Sequence, residues 1–90
     1  MREIIDQSQF RKDLKRVKRS GRYRFEDLLE AVRRLAADQP LESKHHVHAL
    51  SGEWAHHWEC HLRPDWLLIY KLEPGRLILV RTGSHSDLFG

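Results

Sequence analysis

Trp58-Glu59-Cys60-His61-Leu62-Arg63-Pro64-Asp65-Trp66-Leu67-Leu68-Ile69-Tyr70-Lys71-Leu72-Glu73-Pro74-Gly75-Arg76-Leu77-Ile78-Leu79-Val80 is the stretch on which the fold turns. From Trp54 the pattern alternates: Trp54, Trp58, Cys60 and Leu62 fall on one side, with His56 the exception, and Ala55, His57, Glu59, His61 and Arg63 on the other. Period-2 alternation is the mark of a strand with one buried and one polar face, and it predicts a strand over 57–63 whose Cys60 points inward. Arg63-Pro64-Asp65-Trp66 suits a type I turn with proline at its second position. Residues 66–72 are nearly continuously apolar, as in a central strand covered on both faces. Glu73-Pro74-Gly75-Arg76 suits a type II turn, whose third position needs positive φ. Leu77 to Val80 begins a further strand over 77–82, and Arg81 to Gly90 reads as a polar tail closing on Leu88-Phe89.

Upstream the period changes. Residues 41–53 are irregular, and Asp38-Gln39-Pro40 is a helix stop, because proline lacks the N–H and biases its predecessor away from helix. Before it, Phe25, Leu28, Leu29, Val32 and Leu35 recur at helical spacing, and before Ser20-Gly21 so do Phe10, Leu14 and Val17, with Ser8 as the expected N-cap. Residues 2–6 read as a short strand. The fold class is therefore α+β, in the order β-α-α-β-β-β: a helical hairpin packed on one face of a small, mostly antiparallel sheet. The hairpin stripes and the Trp54/Trp58/Cys60 face supply the core, and the opposite sheet face is left polar and concave.

Ninety residues make a single domain, 1–90, and a chain this short buries a thin core, so its chemistry belongs on a shallow face. Half of the 16 Lys and Arg fall in fourteen positions, as Arg11, Lys12, Lys15, Arg16, Lys18, Arg19, Arg22 and Arg24, opposed only by Asp13. Such a block is an electrostatic footprint for a polyanion or an acidic protein, or else a solvated helix face. One cysteine excludes an internal disulfide, as expected of a reducing cytoplasm. No apolar run approaches the ~18 residues of a membrane span, and the acidic N-terminus does not read as a secretory leader.

Seven histidines are the unusual feature, since imidazole is the side chain whose ordinary titration lies between pH 5 and 8. His45 and His46 read as loop residues and His56 and His57 as polar residues at a strand entry. His61, Asp65 and His85 come to a common end of the sheet if the strands pair as above. There, with Arg63 and Arg81 nearby, they could move protons in RNA transesterification without a metal: one group takes the proton of the ribose 2′-hydroxyl, another protonates the leaving 5′-oxygen, and arginines stabilise the phosphate charge. Each has a plainer role too. His61 could end a surface hydrogen-bond network, Asp65 could serve its turn, and Phe89 could plug the core. His-His-x-His at 45–48 lacks a second ligand pair of established spacing, so no metal site is expected.

His48-Ala49-Leu50-Ser51-Gly52-Glu53-Trp54, Glu59-Cys60-His61-Leu62-Arg63-Pro64-Asp65-Trp66-Leu67-Leu68-Ile69-Tyr70-Lys71 and Arg81-Thr82-Gly83-Ser84-His85-Ser86-Asp87-Leu88-Phe89 closely resemble the YafQ branch of the RelE-like toxins. The basic first helix, the length and the element order agree. The resemblance implies a ribosome-dependent mRNA endonuclease of a bacterial type II toxin–antitoxin pair, cytoplasmic, needing no metal or cofactor. It would be neutralised by a DinJ-like antitoxin and meet DNA only through that partner. It places the general acid at His85 and further catalytic positions at His48, His61 and Asp65, with Asp65 or His48 the proton acceptor. Glu59 takes the family's acidic position, Phe89 would hold a base of the codon, and Arg81 is placed at the phosphate by its charge. Arg11, Lys12, Lys15, Arg16, Lys18 and Arg19 would face ribosomal RNA or the antitoxin. Where the family often carries Tyr-Arg, this chain has His57-Trp58. Two other functions fit the same scaffold: a gyrase-binding toxin of the ParE type, and an inactive relative kept for autoregulation.

Overall fold

A computed structural model describes residues 1–90. Its elements, in chain order, are β1 (Glu3–Asp6), α1 (Ser8–Ser20), α2 (Phe25–Ala36), β2 (His48–Ala49), β3 (Trp58–Arg63), β4 (Trp66–Glu73), β5 (Arg76–Gly83) and α3 (His85–Phe89), with single 3-10 turns at Ser43–His45 and Gly52–Trp54. One sheet holds all five strands in the order β1-β5-β4-β3-β2. Only β1 and β5 run parallel; the other three pairings are antiparallel.

Alternation along the central strands divides the core in two. Cys60, Leu62, Trp66, Leu68, Tyr70, Leu77 and Leu79 meet Phe10 and Val17 of α1 and Leu28, Ala31, Val32, Leu35 and Ala36 of α2. Tyr23, in the link between the helices, stacks on Trp66 with centroids 4.9 Å apart. The helical hairpin thus covers one face, as the periodicities imply. α1 ends where Gly21 takes φ 66°, a conformation cheap only for glycine.

Several expectations are corrected. The far face is not simply polar: Leu67, Ile69, Ile78, Val80 and Leu88 form a second apolar cluster, with Ile5, Leu50 and Trp54 against it. Trp54 therefore lies across the sheet from the hairpin, because positive φ at Gly52 and His56 breaks the run before β3 begins at Trp58. Trp58 itself, next to the short edge strand β2, is 38% exposed rather than core. Leu29 and Phe25 also point outward; Phe25 carries the Lys18 ammonium 4.3 Å above its ring. Ser8 starts α1 but does not cap it, since Gln7 holds the cap position. The Gln7 N–H is still tied to the Leu79 carbonyl at 3.1 Å, while its own carbonyl accepts from Arg11.

The segment after Arg81 is structured, not a tail. β5 runs to Gly83, and α3 follows, begun by a capping box in which Ser84 and Asp87 exchange side-chain bonds with each other's backbone N–H. At Gly83 a Cβ would stand 3.1 Å from the Asp87 Cβ and 3.2 Å from the Arg16 Nη2, so only glycine lets β5 turn directly into α3.

Candidate active site

Glu59 and His61 are two apart on β3 and share a face; they pair with Ile69 and Leu67, so that face is the far one, away from the hairpin. The two-residue strand β2 brings a third group, with His48 opposite Glu59. Glu59 is almost fully buried, and one of its oxygens, Oε1, lies 3.2 Å from His48 Nε2 and 3.4 Å from His61 Nε2. Both rings remain partly open to solvent. The carboxylate is placed to fix both ring orientations. The His48 Nδ1–H donates to the His46 carbonyl at 2.8 Å. The His46 ring stands edge-on to His61 with centroids 5.6 Å apart, and the His45 Nδ1–H donates to the His61 carbonyl at 2.7 Å. The histidine-rich loop thus braces the site's edge.

The second group lies at the same end of the far face. His61 pairs with Leu67, and Leu67 with Gly83, so His61 and Gly83 sit two strand spacings apart, roughly 10 Å. His85 follows two residues later, exposed at the start of α3. Its backbone N–H donates to Asp65 Oδ1 at 3.2 Å, which ties the β3–β4 turn to α3. The His85 ring tilts against Phe89 at 5.1 Å; Phe89 meets Trp54 at 6.3 Å, and Trp54 meets His57 at 5.3 Å. Four rings, His85, Phe89, Trp54 and His57, thus run from α3 to the entrance of β3. Phe89, 37% exposed, is no core plug, and His57 gains a packing role that strand alternation did not suggest.

Arg81 is placed differently from its fellows. Its Nε donates to Asp13 Oδ2 at 2.6 Å and its Nη2 to Oδ1 at 3.3 Å, leaving the side chain 22% exposed. Asp13, the lone acid of the basic block, is therefore not on the surface at all. Sequence reading missed it, although its place three residues after Phe10 puts it on the inward stripe. Arg11, Lys12, Lys15, Arg16, Lys18 and Arg19 are all exposed. With Asp13 turned inward, Arg16 alone of the six reaches a surface acid, Asp87 at 3.8 Å. Arg63 is held by Asp27 at 2.9 Å, so it is spoken for. Cys60 is sealed among apolar side chains, and burial, with the Glu59 charge beside it, pushes its thiol up to about 12, which removes it as a nucleophile.

A cleft of about 630 Å³ lies elsewhere, between α2 and the Ser43–His45 turn. Its acids Asp27 and Glu30 are engaged by Arg63 and by Arg33 and Arg34. His45, His46 and His61 line it as well, so it borders the imidazole group, while Glu59, His48, His85 and Phe89 lie outside it on the far face. No helix is long and apolar enough to cross a membrane.

The family model described as a bacterial toxin of a type II toxin–antitoxin system, YafQ, matches residues 2–90. The mRNA interferase toxin YafQ of Escherichia coli K12 is 35% identical over 91 aligned positions, covering 99% of this chain and 97% of that one. Among solved structures, a copper-bound mutant toxin from Helicobacter pylori superposes with TM-score 0.94 at 36% identity, over 99% of this chain and all of that one. The toxin in the E. coli DinJ–YafQ complex superposes with TM-score 0.88 at 34% identity, over the whole of both chains. The copper belongs to the Helicobacter protein; in this chain no group of three or more His, Cys, Asp or Glu side chains is disposed to hold an ion. With a match from Arg2 to Gly90 and the imidazole–carboxylate face in place, the chain belongs to the YafQ family of type II toxin–antitoxin toxins.

Proposed function

We propose that this YafQ-family toxin is an mRNA interferase that cuts translated mRNA in the ribosomal A site, by acid–base transesterification that needs no metal. The observation that carries the reading is the shared Glu59 oxygen between His48 and His61, on the face that also holds His85 and Phe89. The far face then binds the mRNA. His48 or Asp65 takes the proton of a 2′-hydroxyl, whose oxygen attacks the adjacent phosphorus. His85 protonates the departing 5′-oxygen, so the products are a cyclic phosphate and a free 5′-hydroxyl. His61, held by Glu59, stabilises the transition state, and Arg81 offers N–H groups to the phosphate oxygens. Phe89 stacks on a base of the codon, where such contacts are tolerant of base identity. DNA, lacking the 2′-hydroxyl, is excluded by the chemistry itself.

Exposed α1 supplies the sequence-independent grip on ribosomal RNA, and the same basic surface suits an acidic antitoxin of the DinJ kind, the partner seen with the E. coli relative. A toxin that works on ribosomes works in the cytoplasm. The test is induction in cells, followed by mapping the 5′ ends of cut transcripts. Cuts inside codons, present only while the message is translated, support the reading. His85→Ala and His61→Ala should abolish cleavage with the fold intact. A DNA-damage response ahead of any loss of translation would favour a gyrase-directed toxin instead, and absence of growth arrest an inactive relative.

A further inference from the structure

The buried carboxylate of Asp13 has no part in the chemistry above, yet it is the most heavily engaged acid in the molecule. Its side chain is wholly buried. β1 leaves β5 after the Asp6–Leu79 pair, so the outer edge of β5 is bare beyond that point. There Asp13 Oδ2 accepts the Thr82 N–H at 3.2 Å. Satisfying one strand-edge N–H, however, needs no charge, and a buried carboxylate is costly unless cations pair with it. Asp13 also takes Arg81 through both Nε and Nη2, Arg16 Nη2 at 3.4 Å and Gln9 Nε2 at 3.1 Å. The fork is gripped along one side only: Arg81 Nη1 has no partner in the chain. A guanidinium held this way has lost its rotational freedom while keeping donors for a second anion.

We propose that Asp13 is a positioning residue for the cleavage reaction, fixing Arg81 side-on so that its remaining N–H groups meet the scissile phosphate already oriented. This rests on the reading of Arg81 as the phosphate contact. It also makes α1 a single device, gripping ribosomal RNA with its outer face and holding a catalytic arginine with its inner one.

A double-mutant cycle on translating ribosomes separates positioning from mere structure. Arg81→Ala is expected to lower kcat by about 100–1,000-fold, the usual cost of a lost transition-state donor. Asp13→Asn, which keeps an acceptor for Thr82, is expected to lower kcat about 10–100-fold with KM little changed. In the Arg81→Ala background the same substitution should cost less than about 2-fold, because its target is gone. Equal factors in both backgrounds would mark a purely structural role and overturn the proposal. Asp13→Glu, which retains the charge but displaces the fork by a methylene, should fold and still lose about 10-fold in kcat; a full-rate Asp13→Glu would overturn it as well. Should neither variant fold, nitrogen-15 NMR of the wild-type chain decides. A slowly exchanging, rotationally restricted Arg81 Nε–H supports the proposal, and a freely exchanging one defeats it. Arg81→Ala cutting at full rate would instead strike the phosphate reading beneath it, and a wild-type chain that does not cut would strike the function.

Discussion

At the scale of single residues, the site depends on one oxygen serving two rings. Glu59→Gln keeps the shape and removes the charge, so neither ring keeps the carboxylate that holds it. Cleavage by purified protein on translating ribosomes should fall about 10–100-fold, less than the roughly 100–10,000-fold that a general acid or base itself contributes, while the circular dichroism spectrum stays that of the parent. Unchanged cleavage would leave Glu59 a packing residue. Glu59 and His61 were legible together because alternation puts residues two apart on one face, and the same alternation buried Cys60 correctly. His48 was named only through the family resemblance, since two residues of strand leave no periodic trace, and pairing with β3 is what brings it beside Glu59. Asp13 was hidden by composition: an acid among eight bases reads as charge balance, and its helical phase is the sole sign that it faces inward.

At the scale of elements, α3 is the weak link, because five residues cannot hold a helix without help. Ser84 supplies it: its Oγ accepts the Asp87 N–H at 3.1 Å, and its own N–H donates to Asp87 Oδ2 at 3.0 Å. Ser84→Ala should cost about 0.5–2 kcal/mol locally, seen as roughly 2–30-fold faster amide exchange at Asp87 and Leu88. Cleavage should fall with it, since His85 and Phe89 ride on this turn; exchange unaltered at both amides would show that packing alone suffices. The cap also has a sign with pH. Its backbone and side-chain bonds to Ser84, with lesser help from Arg16 and Arg22, hold the Asp87 carboxyl below its usual value. Its contribution is therefore complete above the unfolded value of about 3.9 and is lost as pH falls through the lower folded one. The protection factor at Leu88, which corrects for the intrinsic pH dependence of exchange, should be flat through neutrality and fall only in acid. The sequence did contain this helix, as Ser84-x-x-Asp87, but polar residues on either side made it look like a tail. The β3–β4–β5 meander was plain because turn chemistry and apolar runs agreed, whereas Trp54 was misplaced because positive φ at His56 leaves no pattern.

At the scale of the whole molecule, charge is sorted by layer. One face of the sheet carries the hairpin and its exposed lysines and arginines; the other carries imidazoles, carboxylates and rings. Ribosome association should therefore weaken with salt, each phosphate contact adding about 0.7–0.9 to the log–log slope. Replacing Lys12, Lys15, Lys18 and Arg19 by glutamine should flatten that slope while a saturating ribosome concentration restores most of the cleavage rate. A slope untouched by these changes would move the contact surface off α1. The two-sidedness was foreseeable only in part, for the bare polar face expected from the sequence is roofed with leucine, isoleucine and tryptophan.

The parallel pairing of β1 with β5 joins Glu3 to Arg76 and Asp6 to Leu79, across nearly the full span of the chain. Until translation has passed Arg76, the first strand has no neighbour, β4 lacks one side, and Arg81, His85 and Phe89 do not yet exist. A polypeptide abandoned earlier than that lacks the strand that joins β1 to the sheet and every proposed site residue of β5 and α3, so interrupting this gene's own translation leaves no fragment that carries the whole site.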